Sequence, residues 1–201
     1  TDYDISDLDN NIRLKALHSQ LNIVKKAVPL NPEIAVIHAS YEPISSEMKS
    51  ERIKSCITSL RTLCDECAKY SIKVAVECLP RTCIGNTSAE LLHIINEVGK
   101  NIAVCFDTNH LTQESNIDFI KNIGKHIITT HVSDFDGINE KHWLPGNGCI
   151  DWLEIVTKLD EQGYKGPFIF EVQSQPYKLE YSLELLRTTW EKLLHKKSKE
   201  V

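Results

Sequence analysis

Four apolar segments of this chain each end in a side chain that can bind a metal ion. Each segment runs through β-branched or other apolar residues and closes on a carboxylate or an imidazole. The closing residues are Glu77, Asp107, His131 and Glu171. If the segments are parallel strands of one sheet, their carboxyl ends lie at the edge where such sheets bind ligands. The sequence therefore predicts that the four side chains converge.

Convergence of three carboxylates with one imidazole indicates a particular chemistry. Carboxylates at one point repel one another and raise each other's pKa unless a cation lies between them. This set of oxygens and nitrogen suits Mn²⁺, Mg²⁺, Co²⁺ or Zn²⁺, with coordination positions left for a substrate. A single acidic residue or histidine at a strand end is more often a cap or an ordinary hydrogen-bonding group. Four in succession favour a site for one divalent metal ion.

Polar residues in the loops after these segments are candidates for substrate contacts. His110 lies three residues after Asp107, where its imidazole could reach the metal ion or a substrate hydroxyl. Asp134 lies three residues after His131 and could orient that imidazole. His38 ends an earlier apolar segment, and the alternative for it is a hydrogen bond to a backbone carbonyl.

Two more loop residues complete the predicted substrate-binding set. Arg81 lies four residues after Glu77 and could bind a phosphate or carboxylate, or be a solvated loop charge. His142 and Trp143 precede a segment rich in Gly and Pro, which favour tight turns. These two side chains either close over a substrate or pack within their own loop.

The elements that must position these groups alternate between short strands and helices. Strands are predicted at residues 34–38, 72–77, 102–107, 127–131 and 168–171. Helices are predicted at the start of the chain and around residues 47–70, 88–99, 116–124, 151–162 and 179–195. This alternation is typical of a parallel sheet covered by helices. No linker divides the chain, so residues 1–201 are predicted to form a single domain.

The number of strands limits the fold prediction. An eight-stranded (β/α) barrel typically needs about 250 residues, whereas this chain has 201 residues and five predicted strands. The prediction is therefore a parallel (β/α) TIM-type barrel that is incomplete at its N-terminus.

Composition argues against several classes of function. The net charge of −5 and the sequence pI near 5.9 give no basic surface for nucleic acid. No apolar run approaches the roughly 20 residues that span a bilayer, and the first residues do not resemble a signal peptide. The seven cysteines are scattered, which favours reduced thiols and a cytoplasmic protein. Cys64 and Cys67 form a Cys-x-x-Cys pair, but core packing on a helix is predicted for them.

The segments around these residues form an ordered set of short motifs. They are Val-Ile-His at 36–38, Val-Glu-Cys-Leu-Pro-Arg-Thr at 76–82, Phe-Asp-Thr-Asn-His at 106–110, His-Val-Ser-Asp at 131–134, Pro-Gly-Asn-Gly-Cys-Ile-Asp-Trp at 145–152 and Phe-Glu at 170–171. Together, over residues 34–171, they resemble the sugar phosphate isomerase/epimerase branch of the xylose isomerase-like barrel superfamily. Each motif is weak alone, and the set specifies the superfamily better than it specifies a substrate.

The resemblance implies a function and a mechanism. In such enzymes a Glu, Asp, His, Glu tetrad holds one divalent metal ion. The resemblance implies the same role for Glu77, Asp107, His131 and Glu171. The implied reaction is isomerisation or epimerisation of a small sugar or sugar phosphate through an enediolate. Glu77 and Glu171 would act as base and acid on opposite faces of the substrate. The family barrel has three further strands before the one that matches residues 34–38.

Three other interpretations remain open from the sequence. A cyclic-polyol dehydratase would share the fold. An endonuclease IV-like phosphodiesterase would use three zinc ions and an Asp-x-His pair, where this chain has Glu140 and His142, and the acidic charge disfavours DNA. A non-catalytic barrel remnant or interaction module is the third, because an open sheet edge invites association, including formation of a homo-oligomer.

Overall fold

The structure is a computed structural model that describes residues 4–173, 183–189 and 191–192. Helices and strands alternate regularly from residue 10 to residue 170. The α-helices are α1 (Asn10–Ala27), α2 (Ser46–Ala68), α3 (Ser88–Val98), α4 (Asn116–Ile123) and α5 (Trp152–Glu161). The strands are β1 (Ile34–Ile37), β2 (Lys73–Glu77), β3 (Ile102–Asp107), β4 (Ile127–Val132) and β5 (Phe168–Phe170).

The strands form one parallel sheet whose spatial order, β1-β2-β3-β4-β5, follows the chain. Each neighbouring pair is parallel, and a helix separates the members of each pair in sequence. The sheet is a curled half-barrel with helices packed against it. The predicted fold, a TIM-type barrel present only in part, is confirmed.

Small differences from the predicted strands occur at their ends. β1 ends at Ile37 and β5 at Phe170, so His38 and Glu171 each follow directly after a strand. The backbone N–H of Glu171 still donates to the carbonyl of Val132 at 3.1 Å, which keeps Glu171 in line with the sheet. Residues 183–189 and 191–192 are helical, within the predicted closing helix, and the rest of that prediction lies outside the described residues.

One face of the sheet is apolar and packs against the helices. Val74, Val76, Val104 and Phe106 alternate along β2 and β3, and all four are completely buried in the hydrophobic core. The ring of Phe106 stacks on Phe119 of α4, with centroids 5.5 Å apart. Burial of each such side chain contributes roughly 1.5–3 kcal/mol. We call these four positions the outer face.

The intervening residues of the same strands form the opposite face. Glu77, Cys105, Asp107 and His131 lie there, one step out of phase with the outer face. We call this set the inner face. The strands therefore separate packing from polar chemistry with a period of two residues.

Helix α2 confirms the prediction made for two of the cysteines. Cys64 and Cys67 are buried free thiols of α2 within the hydrophobic core, as predicted for this Cys-x-x-Cys pair. Among the described residues, no helix combines the length and the apolar character needed to cross a membrane.

Candidate functional site

The four predicted metal ligands come together at the carboxyl ends of β2 to β5. Glu77 ends β2, Asp107 ends β3 and pairs in register with His131 of β4, and Glu171 follows β5. One side-chain N or O atom of each residue lies within 4.8 Å of those of the other three. The predicted convergence is therefore present in the structure.

The imidazole of His131 lies at the centre of this cluster. Its Nδ1 is 3.0 Å from Oε2 of Glu171, 3.2 Å from Oε2 of Glu77 and 3.9 Å from Oδ2 of Asp107. The side chains of Glu77 and Asp107 are 1% and 0% exposed, whereas that of Glu171 is 48% exposed. The cluster is therefore shielded from solvent at Glu77 and Asp107 and open to solvent at Glu171.

Several buried polar atoms of the cluster have no hydrogen-bond partner among the described residues. They are both carboxylate oxygens of Glu77, Oδ2 of Asp107 and Nδ1 of His131. Buried polar groups normally have partners, and a buried charge without one is costly. A divalent cation among these atoms would satisfy all of them, and three carboxylates with one imidazole are a suitable ligand set. The residues present therefore fit a divalent metal ion.

The two buried carboxylates have pKa values shifted in opposite directions. Burial raises the pKa of Asp107 well above its usual range, and the negative charge of Glu77 adds to this shift. Burial also acts to raise the pKa of Glu77, but contacts with the imidazoles of His110, His131 and His38 outweigh it. The pKa of Glu77 therefore lies well below its usual value.

The other two members of the cluster, His131 and Glu171, are in contact, and each shifts the pKa of the other. Burial acts to lower the pKa of His131, yet its contacts with Cys105, Glu171 and Glu77 raise that pKa far above the ordinary histidine value. The same contact with His131 lowers the pKa of Glu171. Without a cation, His131 and Asp107 therefore bind protons more tightly than they ordinarily do, and a metal ion would compete with those protons.

His110 and His38 lie against Glu77 on two sides. His110 Nδ1 donates to the carbonyl of Cys78 at 3.0 Å and lies 3.3 Å from Oε1 of Glu77. Burial acts to lower the pKa of His110, but Glu77 and Asp107 raise it to about 9. His38 Nε2 is 3.3 Å from Oε2 of Glu77, and its side chain is 41% exposed. Both predicted imidazoles therefore border the cluster.

His142 reaches the cluster from the loop after β4. Its backbone adopts a left-handed conformation with φ of 48°, which non-glycine residues rarely adopt. Its Nδ1 donates to the backbone carbonyl of Glu171 at 3.0 Å. Its ring lies edge-on to that of His110, with centroids 5.8 Å apart. The loop thus places a third imidazole at the opening.

The carboxylate of Asp134 is bonded within the segment that follows β4. Its carboxylate is completely buried, and each oxygen accepts two hydrogen bonds from its own loop. The donors are the backbone N–H groups of Phe135, Gly146 and Ile150 and the indole Nε1 of Trp152. Asp134 therefore holds the loop after β4 in place through both of its carboxylate oxygens.

Arg81 lies at the rim of the opening, bound to carboxylates of two other loops. Its Nε donates to Oε1 of Glu42 at 2.8 Å, and Nη1 donates to Oε1 of Glu140 at 3.0 Å. These ion pairs raise the pKa of the guanidinium. Arg81 therefore joins the loops after β1, β2 and β4, and an anion would have to compete with Glu42 and Glu140.

Two residues at the site were not predicted from the sequence. Cys105 lies on the inner face, within an apolar run of the sequence. Its place two residues before Asp107 was the available signal, because such residues share one face of a strand. The backbone N–H of Asn109 donates to Oδ1 of Asp107 at 2.7 Å, and Asn109 Oδ1 accepts from the backbone N–H of Lys141 at 3.2 Å. Asn109 thus connects Asp107 to the loop that carries His142.

Similar proteins of known name include enzymes that act on sugars or inososes. An inosose isomerase of Halalkalibacterium halodurans is 29% identical over 163 residues, which cover 76% of this chain and 56% of that protein. The chain spans between 38% and 61% of the length of the curated relatives that it matches.

Solved structures share the fold over nearly the whole chain. A D-tagatose 3-epimerase-like protein is 27% identical, with a TM-score of 0.82 over 98% of this chain and 76% of that one. The IolI protein, solved with a bound zinc atom, is 22% identical, with a TM-score of 0.81 over 96% of this chain and 74% of that one. A family model described as xylose isomerase-like TIM barrel matches residues 1–189. The chain therefore belongs to the xylose isomerase-like TIM barrel family, in the branch of the sugar isomerases and epimerases.

Proposed function

We propose that this chain carries the metal-binding and proton-transfer residues of an isomerase or epimerase that acts on a small sugar. The observation that carries the proposal is the cluster of Glu77, Asp107, His131 and Glu171. Both carboxylate oxygens of Glu77, Oδ2 of Asp107 and Nδ1 of His131 have no hydrogen-bond partner among the described residues. The isomerase and epimerase names of the relatives support the reaction class. The chain spans only part of those relatives, so the activity is proposed for the protein as a whole.

In this proposal the four clustered side chains hold one divalent cation, Mn²⁺, Mg²⁺, Co²⁺ or Zn²⁺. When bound, the cation supplies Lewis-acid stabilisation of negative charge on the substrate oxygens. The zinc atom in the IolI protein supports a divalent metal in this fold, while the ligand set here is compatible with harder ions as well.

Glu77 and Glu171 are the proposed acid and base. They approach His131 Nδ1 at 3.2 and 3.0 Å from β2 and from the end of β5. A substrate carbon above the cluster would lie between these two carboxylates. One would take the proton from the carbon next to the carbonyl, and the other would return a proton to the opposite face. Glu171 is half exposed to solvent, whereas Glu77 is shielded from it.

The three imidazoles at the opening are the proposed substrate contacts. His38, His110 and His142 present ring nitrogens around the cluster, and these suit the hydroxyl groups of a sugar. Arg81, a candidate for binding a phosphate or carboxylate, pairs with Glu42 and Glu140. Within the described residues this arrangement favours a sugar without a phosphate group.

The nuclease alternative is not favoured by the geometry. The two candidate metal groups in the described part of the chain share Glu77 and His131, and they give one centre instead of three. Glu140, which stood in the position of an expected acidic ligand, pairs with Arg81 at 3.0 Å.

Two broader proposals accompany the function. The core extends without interruption from Ile5 to Tyr164, which supports a single domain over the described residues. All seven cysteines are free thiols, and six of them are buried, which supports a reducing compartment such as the cytoplasm.

The proposed reaction is tested by exchange of substrate hydrogen with solvent. The full chain, loaded with Mn²⁺, is incubated with ketoses and their phosphates in deuterated water, and deuterium at the carbon next to the carbonyl is measured. We expect incorporation with the wild type, its loss in Glu171→Gln, and normal incorporation in Glu51→Gln, an exposed residue of α2. Absence of exchange with every sugar, in a chain that binds Mn²⁺, would contradict the reaction and leave the metal site standing.

A further inference from the structure

A second group of possible metal ligands overlaps the first on the inner face. Glu77, Cys105 and His131 each offer one atom within 4.8 Å of the other two. Glu77 and His131 belong to both groups, so the two groups form one extended site. The second group replaces the carboxylates of Asp107 and Glu171 with a single sulfur atom.

The register of the sheet explains why the thiol lies there. Cys105 pairs with Glu77 across β2 and β3, and it precedes Asp107 by two residues on the same face. Its sulfur therefore lies one step deeper in the half-barrel than the carboxylate of Asp107. Asp107 in turn pairs with His131 across β3 and β4, and the imidazole of His131 lies close to Cys105 and Glu77.

Other buried cysteines of the chain have a different surrounding. Cys64 and Cys67 pack in the hydrophobic core, and Cys105 is not part of that core. Cys78 Sγ accepts from the backbone N–H of Asp107 at 3.1 Å and donates to its carbonyl at 3.4 Å, so its sulfur is already bonded. Cys105 instead faces the carboxylate of Glu77, which is 1% exposed and lacks a hydrogen-bond partner among the described residues.

We propose that Cys105 gives this site a soft ligand that selects between classes of cation. Thiophilic ions such as Cd²⁺, Zn²⁺ and Co²⁺ add the sulfur of Cys105 to the ligands of the four-residue cluster, next to Glu77 and His131, because thiolate sulfur prefers soft metals. Hard ions such as Mg²⁺ and Mn²⁺ bind through the carboxylates of Asp107 and Glu171 together with Glu77 and His131. This inference rests on the proposed metal site and specifies which metals it accepts.

The test is the absorption spectrum of the full chain after removal of bound metal and titration with Co²⁺. A bond between sulfur and Co²⁺ gives a charge-transfer band in the near ultraviolet, whereas oxygen and nitrogen ligands alone do not. We expect this band in the wild type, in Cys78→Ser and in Cys64→Ser, and its loss in Cys105→Ser. Cys105→Ala provides a second variant, and circular dichroism verifies that each variant is folded.

A competition titration gives an independent measure. The preference for Cd²⁺ over Mn²⁺ is expected to fall by roughly tenfold or more in Cys105→Ser, comparable with the loss of a single supporting partner at a metal site. Binding of Co²⁺ without the band, or a band that persists in Cys105→Ser, would overturn the proposed role of Cys105. The proposed metal site itself would not be affected by either result. Failure to bind any of these cations would overturn the proposed metal site as well.

Discussion

The two faces of the sheet differ completely, although they are built from alternating residues of the same strands. On the outer face, Val104 and Phe106 are buried among other apolar side chains. On the inner face, Cys105 and Asp107 are buried just as completely, beside carboxylates and an imidazole whose buried atoms include several without a hydrogen-bond partner in the described part of the chain. Burial alone therefore does not distinguish the hydrophobic core from the site. The two differ in whether the buried atoms have suitable neighbours to contact or bond.

This contrast assigns different energetic roles to the two faces. Outer-face side chains stabilise the fold because they remove apolar surface from water. Inner-face groups reduce stability in the absence of a cation, since buried charges and unpaired polar atoms are costly. A cation converts those groups into ligands. Changes on the two faces should therefore have opposite effects on the stability of the metal-free protein.

The largest effect is expected from a change on the outer face. Phe106→Ala removes a buried ring that stacks on Phe119, and it should lower the free energy of unfolding by about 3–5 kcal/mol. Urea denaturation followed by circular dichroism measures the loss. The number of Mn²⁺ ions bound by the folded fraction should stay the same; a changed stoichiometry would mean that the two faces are not separable.

The next effect is the stabilisation of the wild type by a cation. At a free Mn²⁺ concentration of about 100 times Kd, the free energy of unfolding should rise by about 2.7 kcal/mol. In Asp107→Asn one ligand is lost, and the rise should be much smaller at the same concentration. Parallel urea titrations with and without Mn²⁺ measure both values. An equal rise in the two proteins would show that the cation binds elsewhere.

A pH effect on metal affinity should follow from protons held by the inner face. The pKa values of His131 and Asp107 are raised in the metal-free cluster, so both residues bind protons more tightly there than they ordinarily do. Those protons compete with the cation, and affinity must therefore fall as the pH falls. We expect about tenfold weaker Mn²⁺ binding per pH unit for each proton displaced. Titration calorimetry in buffers of different ionisation enthalpy counts the protons; a result of zero would contradict this prediction.

The smallest effect concerns Asp107→Asn without metal. Burial raises the folded pKa of Asp107 well above 3.8, so at a higher pH folding must either bury the charge of this carboxylate or bind a proton to it. An amide needs no proton and can still accept from the N–H of Asn109. The metal-free variant should therefore be more stable than the wild type by about 1 kcal/mol at neutral pH. The gain should shrink as the pH falls toward about 4; a constant gain would refute this cause.

Local patterns were sufficient to predict the strands and the four clustered ligands. An apolar run that ends in Glu77 or Asp107 indicates both a strand and its direction, and parallel strands bring their ends together. The fold and the convergence of the cluster therefore followed from residues close together in sequence. The ends of β1 and β5 differed by one residue from prediction, because pairing at a strand end depends on its neighbours.

Loop contacts were not predictable in the same way. Asp134 was predicted to contact substrate, but its carboxylate binds donors as far along the chain as Trp152. Arg81 pairs with Glu42 and Glu140, which are 39 and 59 residues away in sequence. Such contacts depend on how separate loops meet at the opening. Cys105 was overlooked for another reason, since a cysteine in an apolar run has the same pattern on either face.

The most direct test of the central claim is a count of bound cations. Native mass spectrometry of the full chain, stripped of metal and supplied with Mn²⁺, gives the number of ions per folded chain. We predict one bound ion in the wild type. Binding should be lost in His131→Ala and retained in His126→Ala, a change outside the cluster. No bound ion, or binding that is unchanged in His131→Ala, would contradict the claim that the inner face gathers its ligands around one cation.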